Sequence, residues 1–295
     1  MIHDKSNTEV LALVRLMEDP DPMIFEQVTA RLRTMGGLAL PIIEEAWSKH
    51  INDYSHHEKI GALIRDIRKD DIRLELEKWR ESSNRDLLKG ALILSKFQYP
   101  ELDFVAIEKE MEIISRKVWL EINDENTAFE IVKVINHVLF EQCGFESSNS
   151  DFYAPQHSYI NTLLESKKGN PLSLSMLYSI VAQKLNIPIY GVNLPNHFVL
   201  GFVDERQTLK FLGLEENEGN ILFYINPFSK GRIFDHNEIE NYLRSLNLPL
   251  QKHYFEPCSN SEILKRMITN LTYAYSKVGD RDRVSDLEEL QSILG

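Results

Sequence analysis

Apolar positions recur at helical spacing through the first hundred residues. Val10, Leu11, Leu13, Val14 and Met17 share one face, the mark of an amphipathic helix. Glu18-Asp19-Pro20-Asp21-Pro22 stops it, because proline lacks an N–H and disfavours a helical residue before it. Ile24, Val28 and Leu32 predict a second helix, broken at Gly36-Gly37, and Leu40 to Trp47 predict a third. The pattern resumes in Ile60, Leu63, Ile64 and Ile67, and again in Leu87, Leu88, Ala91 and Leu94. After a turn at Gln98 to Asp103, a helix follows through Ile107, Met111, Ile114 and Val118. Another is predicted from Thr127 to Cys143, with Gly144 at the C′ position.

The texture then changes. A helix over Pro171–Leu185 is followed by short runs rich in Val, Ile, Phe and Tyr: Ile189 to Val192, Phe198 to Val203, Lys210 to Leu214 and Ile221 to Ile225. Turn residues separate them, as they separate strands. Ile239, Tyr242, Leu243 and Leu246 return to helical spacing, and Ile263 to Val278 with Val284 to Leu294 predict a helical hairpin turning at Gly279-Asp280. The expected class is α+β, with an antiparallel sheet layered on a helix. Three regions are expected: all-α over 1–95, mixed over 96–250 and a helical hairpin over 251–295.

Composition narrows the picture. A chain of 295 residues suggests two domains rather than one, and 43% hydrophobic residues can bury a sizeable core. The formal net charge of −12 repels phosphate backbones and anionic membrane faces, so neither nucleic acid nor membrane is an expected partner. No apolar run reaches the roughly 18 residues of a membrane helix, and no signal peptide follows Met1-Ile2-His3-Asp4-Lys5. Cys143 and Cys258 are too few for a disulfide framework, which fits a cytoplasmic setting. No glycine-rich phosphate loop, paired CxxC or H-E-x-x-H occurs, and His56-His57 has no acidic or cysteine partner at i+4. Neither a cofactor nor a metal is expected.

Candidate chemistry gathers in one block. Lys167 to Ser175 reads as a helix start, with Asn170 as N-cap and Pro171 at the first helical position. Such a terminus stabilises an anionic nucleophile, and Ser173 lies about one turn in. Asn186-Ile187-Pro188 ends the helix, His197 stands where a strand begins, and Asn226-Pro227 ends a later strand. This order is that of nucleophile, base and orienter.

These motifs resemble the transglutaminase-like superfamily, and within it the bacterial SirB-type family. The resemblance rests on Phe145 to Tyr159, Gly169 to Tyr178, Asn193 to Phe198, Tyr224 to Gly231 and Ile263 to Tyr275, and it covers roughly residues 87 to 294. It implies that 96–250 is a transglutaminase-like domain. The stretch from Val10 to Trp47 resembles a HEAT-type repeat, and the closing hairpin resembles one tetratricopeptide unit.

Departures from the family's enzymes shape the functional expectation. In those enzymes a cysteine stands about 17 residues before the proline of Gly-Ile-Pro. Counted back from Pro188, that position is Pro171, which has no nucleophilic group. The usual aspartate before Pro-Phe is Asn226, and His157 stands where asparagine is usual. Of the implied triad His197 alone is unchanged. Ser175 reads as packing. A thiolate at Cys143 is disfavoured at a helix C-terminus, and Cys258 follows Pro257 in a loop. The leading expectation is a catalytically degenerate regulatory module that binds a protein or peptide in a groove lined by Tyr153, Tyr159, Pro171, Asn196 and His197. One alternative is an amide hydrolase or acyltransferase using Ser173 and His197, and another is a helical scaffold.

Overall fold

The structure is a computed structural model describing residues 2–17, 19, 21–49, 54–148, 154–205 and 220–295. The expected run Lys210 to Leu214, the expected loop Glu215 to Glu218 and the candidate Tyr153 lie outside the described residues. The chain divides into two compact units, one of residues 1–78 with 96–100 and one of residues 79–95 with 101–295.

The first unit is helical. Its elements are α1 (Ile2–Leu16), α2 (Pro22–Met35), α3 (Leu40–Lys49) and the first part of α4 (Tyr54–Glu81). Asp21 caps α2 by accepting the Met23 N–H at 2.9 Å, with Pro22 at the first helical position. The apolar faces meet in a core of Val10, Met17, Val28, Leu32, Ile43, Ile60, Leu63 and Ile67. Leu11, read as part of that face, is exposed instead.

The second unit is the α+β body. It holds α5 (Leu87–Ser95), α6 (Phe104–Glu121), α7 (Ala128–Asn136), α8 (Ile160–Ser166), α9 (Pro171–Lys184), α10 (His236–Ser245), α11 (Asn260–Lys277) and α12 (Arg281–Ile293). Four antiparallel strands follow one another in sheet order: β3 (Ile189–Leu194), β4 (His197–Val203), β5 (Ile221–Asn226) and β6 (Arg232–Phe234). Ahead of them β1 (Glu146–Ser147) and β2 (Lys168–Gly169) form a short parallel pair, too brief for alternation to reveal. The helix expected over Thr127–Cys143 is two pieces: α7 widens into a π-helical turn over His137–Gln142, and Gly144 follows with φ +73°.

α9 is the hub. Every residue from Pro171 to Ala182 is buried, as expected of a helix apolar nearly all round. It packs on α5, α6, α8, α11 and the first two strands of the sheet. Ser175 spends its hydroxyl on the Phe198 carbonyl at 3.3 Å, tying the helix to β4.

Candidate functional site

Local sequence sets the α9 start. Asn170 accepts the Ser173 N–H at 2.8 Å, and Ser173 Oγ accepts the Asn170 N–H at 3.0 Å. This reciprocal cap satisfies two backbone donors that the helix cannot. Ser173 Oγ also donates back to the Asn170 carbonyl at 3.3 Å, and the side chain is buried. Asn170 Nδ2 in turn donates to Ser158 Oγ at 3.2 Å. Gly169 leaves room for this arrangement: a Cβ there would lie 2.7 Å from Ser173 Oγ. Pro171 sits at the first helical position.

His197 is placed by a tight hairpin. Leu194 pairs with His197 across Pro195-Asn196, and Asn196 adopts φ +56°, a left-handed conformation that asparagine tolerates better than most residues. Leu200 pairs with Ile225, which puts Asn226 opposite Val199 and diagonal to His197 on the same face. The sheet register therefore brings His197 and Asn226 together.

Their interaction is loose. The Asn226 carboxamide favours the protonated ring of His197, yet its buried Oδ1 lacks a partner at full hydrogen-bond geometry. Burial outweighs that help, and the positive charge of Arg266 adds to it, so His197 titrates below the ordinary histidine value. The Tyr242 ring lies 6.4 Å from the His197 ring, and its hydroxyl donates to the Pro195 carbonyl at 2.7 Å.

Two cavities flank His197. One, of about 480 Å³, opens at the α9 start and is lined by Asn170, Pro171, Asn196, His197, Arg266 and Tyr273 among others. The other, of about 400 Å³, lies on the Asn226 side with Arg232, Glu238 and Tyr242. Three predicted residues, Pro171, Asn196 and His197, thus share a cavity, while His197 and Asn226 share its neighbour. Ser173 lines neither of the two. Tyr159, read as a groove residue, is fully buried, with its hydroxyl 3.3 Å from that of Tyr275.

Sequence reading missed the wall supplied by α11. Arg266, Thr269, Asn270 and Tyr273 line the first cavity. The available signal was a basic residue bordering the apolar stripe Ile263, Leu264, Met267 and Ile268. Also missed was the brace behind Asn226. Asn136 Nδ2 donates to the Gly231 carbonyl at 2.9 Å and its Oδ1 accepts from Tyr178 at 3.2 Å.

Both cysteines are free. Burial, with Glu262 nearby, pushes the Cys258 thiol up to about 12, so it stays protonated and poorly nucleophilic. Among the described residues no three His, Cys, Asp or Glu side chains converge as metal ligands. Nor is any helix among them long and apolar enough to cross a membrane.

A buried helix start facing a strand-borne histidine and a strand-end carboxamide, over an antiparallel sheet, defines a class that the sequence comparison confirms. The profile of the transglutaminase-like superfamily matches residues 105–269, and the chain belongs to that superfamily. Its relatives include a UPF0162 protein of Xylella fastidiosa, 25% identical over 205 residues that cover 68% of each chain. A UPF0162 protein of Vibrio cholerae is 25% identical over 195 residues, covering 64% of this chain and 66% of its own. The F-box only protein 21 of Mus musculus is 28% identical over 176 residues, which are 59% of this chain and 25% of that protein. No solved structure matches.

Proposed function

We propose that this protein is a catalytically retired transglutaminase-like domain, of SirB type, that binds a protein or peptide segment in the cavity beside His197. The supporting observation is the chemistry of the α9 start. Pro171 occupies the position at which the resemblance puts the nucleophile. The nearby Ser173 hydroxyl is engaged with the Asn170 backbone at 3.0 and 3.3 Å. A serine without a neighbouring base is a weak nucleophile. Asn226 supplies no negative charge to stabilise an imidazolium.

What persists is a binding shape. A cavity of about 480 Å³ falls within the range of ligand sites, and its mix of apolar walls and a few polar groups is the usual one. The helical regions, HEAT-like at the N-terminus and tetratricopeptide-like at the end, supply further surface for partners. The matching segment makes up a quarter of a longer relative, which favours a module that serves inside larger proteins.

The test is direct. Incubated with a glutamine-containing peptide and a primary amine, or with aryl amides, the protein should release neither ammonia nor arylamine above the uncatalysed rate. Turnover abolished by both Ser173→Ala and His197→Ala would establish the hydrolase or acyltransferase reading instead.

A further inference from the structure

Arg266 is placed unusually for a cation in a protein of net charge −12. It projects from α11 into the cavity at the α9 start. Nη1 donates to Asn193 Oδ1 at 2.8 Å and to the Leu194 carbonyl at 3.0 Å, both at the end of β3. The guanidinium is therefore held by neutral acceptors. Two other half-buried arginines have carboxylates: Arg68 meets Glu44 at 2.6 Å, and Arg283 meets Asp280 at 3.4 Å, whereas Arg80 donates to the Ile293 carbonyl at 2.6 Å. Among the described residues no carboxylate contributes to the Arg266 shift: burial lowers its pKa, Tyr242 opposes that, and the charge of Arg266 is felt by His197. Among the described residues, those lining the cavity include no Asp or Glu. Half-buried charges are ordinarily paired, because desolvation has to be offset.

We propose that this cavity is an anion site in which Arg266 anchors a carboxylate of the bound peptide. The proposal rests on the peptide-binding reading and names the group that the site selects. The charge count favours a carboxylate over a phosphate. Arg266 is the one Lys or Arg among the described residues of the lining, which matches a single negative charge, whereas a phosphate ester carries about −1.5 to −2 at neutral pH. The guanidinium edge suits two carboxylate oxygens. Asn270, one turn along α11, and Asn196 from the hairpin line the same space and offer amide donors. The α9 N-terminus adds a partial positive charge of the same sign. Phe198, Leu172 and Tyr273 supply apolar walls for the chain that carries the carboxylate.

The experiment uses the full chain and two pools of random-sequence hexapeptides, one with free C-terminal carboxylates and one amidated. Asp and Glu are omitted from both. Binding is followed by the Arg266 side-chain N–H and His197 ring resonances. Expected are saturable shifts with the free-carboxylate pool and at least tenfold weaker binding of the amidated pool. Arg266→Gln should abolish that difference. Because Arg266 also braces β3, a second variant, Asn270→Asp, supplies an internal carboxylate to the guanidinium and should likewise abolish it. Equal binding of both pools, or a preference that survives Asn270→Asp, overturns the anion site and leaves the peptide-binding reading standing. No binding of either pool overturns both. Inorganic phosphate shifting the same resonances at concentrations where the carboxylate pool does not would assign the cavity to a phosphate-bearing ligand and overturn the carboxylate.

Discussion

At the residue scale the site turns on His197, Asn226 and Ser173. His197 titrates low because burial and Arg266 disfavour its charged form more than Asn226 favours it. The unfolded chain therefore takes up its proton first, near the ordinary value of about 6.5. Between the folded pKa and that value, stability rises with pH and is lost as pH falls. An NMR titration should place the His197 midpoint below the ordinary histidine value of about 6.5. Asn226→Asp should move it upward, since a carboxylate stabilises the imidazolium. An unmoved midpoint would show that the two side chains do not communicate. Ser173→Ala removes the acceptor for the buried Asn170 N–H and should cost about 1–2 kcal/mol in urea unfolding. A loss near zero would mean that the cap is dispensable. His197, Asn226 and Pro171 were legible because turn and cap chemistry is local. Arg266 was not, since nothing in the sequence near it says that a helix some 70 residues beyond the histidine closes the same cavity.

At the scale of elements, α9 and the β5–β6 turn locate the site. α9 was legible throughout: asparagine cap, proline at the first position, an apolar body and Asn186-Ile187-Pro188 at its end. The strands were legible to within a residue or two, because β-branched and aromatic runs bounded by turns mark them. β6, of three residues, and the parallel pair β1–β2 were not, because runs so short carry no alternation. The β5–β6 turn is where backbone conformation and packing coincide. Gly231 has φ +71°, and a Cβ there would lie 1.8 Å from Asn136 Oδ1. Gly231→Ala should therefore destabilise the fold by about 2–3 kcal/mol, measured by denaturant unfolding. It should also shift the His197 titration, because the turn leads directly from Asn226. A stable variant with an unchanged titration would show that the Asn136–Tyr178 brace does not position Asn226.

At the scale of the whole molecule, charge and layering set the limits. With a net charge of −12 and a sequence pI of about 5.3, the surface field opposes polyanions. Electrophoretic mobility assays with duplex DNA or structured RNA should show no retardation at physiological salt, and salt-sensitive retardation would reveal a basic face. Hydrophobic periodicity by itself determined the α+β class, the helical N-terminus and the closing helical hairpin, because burial of one helix face or one sheet face is written in local spacing. Residue identity by itself determined the cap at α9 and the proline at its first position. Only the tertiary structure decided that Tyr159 turns inward and that His197 stands between two cavities. It alone brought Asn226 within reach through strand register and placed in the wall an arginine from α11 held by neutral acceptors. Those features depend on which distant elements meet, and a chain read from end to end carries no local signal of that.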